Sequence, residues 1–121
     1  MSDTKPVIKR FTPQELGPKA WGTELLVAHT DLYTGKVLNM NAGASGPLQY
    51  HAQKDETFYL FSGRALVRYK DESNTLRAVV MYPGQSYHVP PGAVHQVEAL
   101  EDCVFFEASN PVFNDRVSAE P

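Results

Sequence analysis

The stretch Pro83-Gly84-Gln85-Ser86-Tyr87-His88-Val89-Pro90-Pro91-Gly92-Ala93-Val94-His95 decides the reading of this chain. Pro83-Gly84 is turn chemistry, Ser86 to Val89 is a short extended run, and Pro90-Pro91-Gly92 is a second turn. The two prolines stiffen the approach to His95, which suits a side chain that must be held in one place. Turn, short strand, turn is the local grammar, and it repeats on both sides.

Reading outward, further strands are expected at Glu24 to His29, Lys36 to Asn41, Thr57 to Phe61, Ala65 to Tyr69, Leu76 to Met81, Gln96 to Leu100 and Val104 to Ala108. The breaks between them carry Thr34-Gly35, Ser62-Gly63, Asp71-Glu72-Ser73-Asn74 and Glu101-Asp102. Short strands at a spacing of about ten residues indicate an all-β sandwich or barrel. Gly63, Gly84 and Gly92 sit where tight turns need a positive φ or leave no room for a side chain. Near the start, Thr12-Pro13-Gln14-Glu15 reads as a one-turn helix, capped by Thr12 and ended by Gly17-Pro18. The tail from Asn110 to Pro121 has no clear period and reads as a segment wrapping the outside or a partner.

Composition sets the limits. The chain has 121 residues, 42% of them hydrophobic, with 11 basic and 14 acidic residues and a net charge of −3. That suits one domain spanning 1–121 with enough apolar side chains for a core. No basic cluster exceeds Lys9-Arg10, so nucleic acid is not an expected partner. The longest apolar run, Ala78 to Tyr82, is far short of the roughly 20 residues that span a bilayer. Met1-Ser2-Asp3-Thr4-Lys5-Pro6 shows no apolar signal core. With a single cysteine, Cys103, the expected setting is reducing and cytoplasmic, and Cys103 reads as a small buried hydrophobe.

Upstream of the opening stretch, His51-Ala52-Gln53-Lys54-Asp55-Glu56 supplies the second half of a candidate site. In a strand, His51 and Gln53 share a face, and Glu56 falls on the opposite one. Convergence of His51, Glu56 and His95 therefore requires a bend or bulge at Lys54-Asp55. Two imidazoles and a carboxylate on one side of an ion form the open site used by non-haem iron and related metals.

These two stretches resemble the paired motifs of the cupin superfamily, roughly G-x5-H-x-H-x3,4-E-x6-G and G-x5-P-x-G-x2-H-x3-N. Here the first is carried by Gly46, His51, Gln53, Glu56 and Gly63, and the second by Gly84, Pro90, Gly92 and His95, with Ala99 in the final Asn slot. A further likeness through Lys19-Ala20-Trp21-Gly22-Thr23-Glu24, Lys36-Val37, Leu48-Gln49-Tyr50-His51 and Asp55-Glu56 resembles the cupin domain of type II mannose-6-phosphate isomerases. It covers about residues 19–110, the expected barrel, with terminal extensions outside. It implies a double-stranded jelly-roll barrel. It also implies a divalent ion (Fe, Mn, Ni or Zn) on His51, Glu56 and His95, with Gln53 in the slot of the second histidine. An amide oxygen is a weaker ligand than imidazole, so metal affinity is expected to fall. The chain carries no nucleotidyl-transfer domain, so guanylyl transfer is not expected.

Each signal has a plainer reading. Alone, His51 and His95 would be ordinary polar residues; together in paired motifs they read as ligands. Gln53 fits a ligand, a substrate hydrogen-bonder or a relic. Tyr50 and His88 are the candidate catalytic donors, although packing explains Tyr50 and a surface position explains His88. His29 reads as a loop residue. Phe58 shares the face of Glu56 and is the best aromatic lining residue. Trp21 reads as packing of an N-terminal strand on the barrel. Glu107, an acid in an apolar strand, should enter the pocket or pair with an arginine. Lys36, Arg64, Arg68 and Arg77 read as solvent-facing.

Two functions follow. One is a metal-dependent enzyme of isomerase, lyase or dioxygenase type, acting on a small polar, carbonyl- or hydroxyl-bearing molecule. The other is a metal-free barrel that binds or senses a small ligand. A homodimer is expected through the segment before Trp21 and through Val104-Phe105-Phe106.

Overall fold

A computed structural model describes residues 5–121; the opening Met1-Ser2-Asp3-Thr4 lies outside them. The described chain is all β, with no helix long and apolar enough to cross a membrane. Its strands are β1 (Gln14–Lys19), β2 (Gly22–His29), β3 (Thr34–Met40), β4 (Gln49–His51), β5 (Glu56–Ser62) and β6 (Ala65–Lys70). Then follow β7 (Leu76–Met81), β8 (Ser86–Val89), β9 (His95–Ala99), β10 (Cys103–Ser109) and β11 (Arg116–Ser118). They form two antiparallel sheets, a six-stranded one in the order β1-β2-β3-β10-β5-β8 and a five-stranded one in the order β11-β4-β9-β6-β7. This is a jelly-roll barrel.

Alternation explains the layers. Along β5, Glu56, Phe58 and Leu60 are buried while Thr57, Tyr59 and Phe61 are exposed; along β10, Cys103, Phe105, Glu107 and Ser109 are buried. Period-two burial turns one face of each strand inward. The hydrophobic filling is Leu60, Met81, Val67, Phe58 and Phe105, with Cys103 among them as expected. Phe58 meets Phe105 edge to face at 5.9 Å, an arrangement favoured by the ring quadrupoles. The polar inward residues His51, Lys54, Glu56, His95 and Glu107 line a cavity together with Met40, Phe58 and Phe105 of the core.

Several expectations change at the margins. Gln14 to Glu15 is not helical: β1 runs through Gly17 and Pro18 and pairs with β2, with a bulge between Glu15 and Pro18. An edge strand tolerates proline because one row of its N–H groups has no ladder partner. The tail does not simply wrap the outside, since Arg116 to Ser118 pair with β4. His29 ends β2 instead of standing in a loop, edge-on to Phe113 at 5.7 Å. Trp21 packs against the core as expected, and it also lines the cavity. Gly22 after it has a φ of 148°, and a Cβ there would meet the Asn39 carbonyl at 1.8 Å. The Trp21-Gly22 pair is thus a close approach of β2 to β3. Gly63, Gly84 and Gly92 all take positive φ, as their turns require.

Candidate metal centre

The site forms where the chain changes sheets. His51 ends β4 and His95 begins β9, both in the five-stranded sheet. Glu56 begins β5 in the other sheet, so residues 52–55 supply the bend that the sequence spacing required. Two further contacts lock the frame. Gly92 N–H donates to the His51 carbonyl at 2.8 Å, docking the proline turn onto β4, and Gln49 faces His95 in the β4–β9 pairing.

Each imidazole is tethered on one side. His51 Nδ1–H donates to Asp115 Oδ1 at 3.1 Å, and His95 Nδ1–H donates to the Ala93 carbonyl at 2.9 Å. Both Nε2 atoms are left facing Glu56, at 3.9 Å from Oε2 for His51 and 3.7 Å from Oε1 for His95. The ligand atoms of His51, Glu56 and His95 all lie within 4.8 Å of one another, and all three residues are buried. With bonds of about 2.1 Å, neighbouring ligands of one ion sit about 3 to 3.5 Å apart, so a small inward adjustment fits them to an ion. Burial, with the nearby Lys54 charge, holds the His51 imidazole below its ordinary pKa despite Glu56 and Asp115. A neutral imidazole is the form a metal takes. Glu56 Oε2 is, among the described residues, the one buried side-chain polar atom without a hydrogen bond. A buried carboxylate that meets one imidazole Nε2 at each of its oxygens fits a cation, and the Lys54 ammonium already lies 2.8 Å from Oε2.

Lys54 is the residue that the sequence did not single out. It is buried, and its Nζ lies 2.8 Å from Glu56 Oε2 and 2.8 Å from Glu107 Oε2. The Glu107 contact is the better directed of the two. Glu107 thus enters the cavity as expected, but its partner is this lysine and not an arginine. Burial and the neighbouring Glu56 push the Glu107 carboxyl up, and Lys54 offsets this only in part. Burial also raises Glu56, but there the Lys54 ammonium outweighs it, and the net shift is downward. A second buried cluster lies on the same wall: Glu24 accepts from Lys36 at 2.9 Å and approaches Lys19 at 3.3 Å. Lys36 is therefore not solvent-facing; its Nζ also sits 4.9 Å above the Phe113 ring. Arg68, by contrast, pairs with Glu98 and Arg77 with Asp71, each partly or well exposed.

Three expected site residues lie elsewhere. Gln53 is exposed, and its backbone, not its amide, makes the local bonds: its N–H donates to Asp115 and its carbonyl accepts from Asn110 Nδ2. The sheet change rotates it out, and Lys54 turns in beside the ligands instead. Tyr50 lies between Gln49 and His51, which both line the cavity, so alternation points it to the opposite face. His88 is exposed and pairs with Asp55 at 2.6 Å, away from the cavity. The cavity itself has a volume of about 210 Å³. Trp21, Leu38, Phe58 and Val97 give it apolar walls, while Arg116 and Lys19 add positive charge.

Fold and site together define a barrel of the kind that holds small ligands or ions on inward histidines and acids. The cupin domain family matches residues 36–109, and the chain belongs to that family. No curated protein sequence matches it. Among solved structures it is similar to the capsular polysaccharide assembling protein CapF of Staphylococcus aureus (19% identity, TM-score 0.79), covering 92% of this chain and 33% of CapF. It is similar to KdgF of a Halomonas species (21% identity, TM-score 0.73), covering 84% of this chain and 91% of KdgF. It is also similar to Bacillus subtilis oxalate decarboxylase, a protein with Mn(II) centres (20% identity, TM-score 0.75), covering 93% and 32%. The chain thus spans about a third of the length of CapF and of oxalate decarboxylase. At these identities the likeness is one of fold.

Proposed function

We propose that this cupin is a metal-dependent enzyme acting on a small, polar, carbohydrate-like molecule by isomerase, lyase or dioxygenase chemistry. The observation that carries the reading is the convergence of two tethered imidazole Nε2 atoms on one buried carboxylate. A divalent ion (Fe, Mn, Ni or Zn) held by His51, Glu56 and His95 would supply Lewis-acid polarisation of a substrate oxygen. The protein's own part is to bind and orient. Trp21 and Phe58 offer flat apolar surface, and Arg116 and Lys19 offer charge to oxygen-rich groups. The cavity is smaller than the roughly 300 Å³ or more of drug-sized sites, so the ligand is small. The likeness to type II mannose-6-phosphate isomerases supports a sugar-like substrate. The lone buried cysteine supports a reducing, cytoplasmic setting.

Metal analysis of unsupplemented protein tests this reading. About one divalent ion per chain is expected, lost in His51→Ala and His95→Ala. Protein that neither contains nor takes up such ions at neutral pH would sink it.

One observation favours a second reading, a metal-free binding module: Lys54 already places a cation against Glu56. Ligand affinity unchanged by chelator would support it, and turnover abolished by chelator would exclude it. A homodimer is proposed for either case. Phe105 is core, but Phe61, Phe106 and Tyr59 are exposed on the outer face of the six-stranded sheet. Light scattering that shows only monomer at micromolar concentration would refute the dimer.

A further inference from the structure

We propose that Lys54 is the resident cation of this centre, competing with a divalent ion for Glu56 and thereby setting metal affinity. The inference rests on the metal reading above and goes beyond its ligand set.

The loop that carries Lys54 is pinned from outside. Lys54 N–H donates to Asp115 Oδ2 at 2.8 Å, Asp55 N–H donates to Asn110 Oδ1 at 3.0 Å, and the Gln53 carbonyl accepts from Asn110 Nδ2 at 3.1 Å. With the backbone fixed this way, the Lys54 side chain goes into the barrel. A lysine is buried this fully only when its charge is compensated. Here the compensation comes from two carboxylates of unequal quality. Glu107 accepts the better-aligned hydrogen bond, whereas Glu56 Oε2 holds the ammonium as an ion pair of the same 2.8 Å length but poorer direction. The ammonium is therefore anchored on Glu107 and leans on Glu56.

That asymmetry makes the pairing with Glu56 exchangeable. Glu56 faces both imidazoles with the same carboxylate that faces Lys54. A dication held by His51, Glu56 and His95 would share the Glu56 carboxylate with the ammonium, in surroundings that screen poorly. Lys54 can stay on Glu107 while Glu56 turns to the ion, but the repulsion remains. Two consequences follow. The Glu56 carboxylate has an ion-pair partner without a metal, so the fold does not need an ion to offset it. Metal binding is weaker than the same three ligands would give without the lysine.

The test is titration of Zn²⁺ and Mn²⁺ into wild type, Lys54→Met, Glu107→Gln and the double variant K54M/E107L, with melting temperature read with and without chelator. The double variant removes charge in balance, should Lys54→Met alone fail to fold. Lys54→Met and the double variant should bind either ion at least about tenfold more tightly than wild type. Chelator should lower their melting temperatures by more than it lowers that of wild type. Glu107→Gln should weaken metal binding, because Lys54 is then left to Glu56 alone. Affinities within twofold of wild type in the folded lysine variants, or tighter binding in Glu107→Gln, overturn the inference while leaving the metal site standing. Absence of uptake by wild type and every variant overturns both.

Discussion

Asp115 holds His51 from the far end of the chain: its Oδ1 accepts from His51 Nδ1 at 3.1 Å across 64 positions of sequence. The same carboxylate accepts the Gln53 and Lys54 N–H groups at 2.8 Å each, so one side chain fixes both the imidazole and the loop beside it. Burial would raise its pKa, but these N–H groups and His51 bring it below the ordinary value. It is ionised at neutral pH and selects the His51 tautomer whose Nε2 is free. Outer-shell carboxylates of this kind are worth about 10- to 100-fold in metal affinity. Asp115→Ala should weaken metal binding by that factor in a calorimetric titration; an unchanged affinity would show that His51 is positioned without it.

The Glu24–Lys36 pair makes a prediction about stability. Both side chains are about 6% exposed. Breaking such a pair from one side leaves a buried charge and costs about 3–5 kcal/mol, whereas replacing both partners by apolar groups is often near neutral. Glu24→Gln should therefore lower stability in urea unfolding far more than the double variant E24L/K36M. Equal losses would mean that the pair matters for shape and not for charge.

The same carboxylate gives a pH dependence. Burial works to raise the Glu24 pKa, but Lys36 and Lys19 bring it below its ordinary value of 4.5. The folded protein thus binds this proton less tightly than the unfolded chain. Its stabilising contribution is present above pH 4.5 and is lost as pH falls through the folded value. Melting temperature measured between pH 6 and pH 3 should fall for wild type, and Glu24→Gln should show a shallower acid limb. Parallel curves would assign the acid limb to other carboxylates.

Gly63 tests the turn between β5 and β6. Its φ is 89°, and a Cβ there would lie 2.3 Å from the Asp102 carbonyl oxygen, a backbone atom that cannot swing aside. Conformational strain alone costs of order 1–3 kcal/mol, and the clash adds to it. Gly63→Ala should lose at least about 2 kcal/mol in chemical denaturation. A loss within 0.5 kcal/mol, the usual range for an innocuous surface change, would contradict the geometry.

Much of this molecule was legible because period-two burial writes itself into sequence. Phe58 and Leu60 alternate with Thr57, Tyr59 and Phe61, and Phe105 and Glu107 alternate with Phe106 and Ala108. The ligands were legible for another reason: His51, Glu56 and His95 stand at fixed distances from glycine and proline turns whose geometry admits few other residues. What stayed hidden lacks either signal. β4 and β11 have three residues each, too few to show a period, and every residue of β11 is exposed. Gly17-Pro18 read as a stop because proline usually ends a pairing, and at an edge it does not. Gln53 was placed by strand alternation, but alternation ceases where the chain leaves β4. Lys54, Lys36 and Asp115 meet their partners only through topology, and a lone lysine in sequence carries no mark of being inside. The one available hint was Lys54's place between two ligands, on the bend that had to exist.

The anchor on His51 also sets an order of events in synthesis. The two halves of the centre are made early and late, and a nascent chain that stops short of Asp115 lacks the hydrogen bond that holds the His51 ring. Long-range β pairing of this sort is slow to form. A ribosome-bound intermediate would have His95 tethered to the nearby Ala93 carbonyl but His51 without its carboxylate. An ion taken up by this barrel would meet both tethered imidazoles only after translation has passed residue 115.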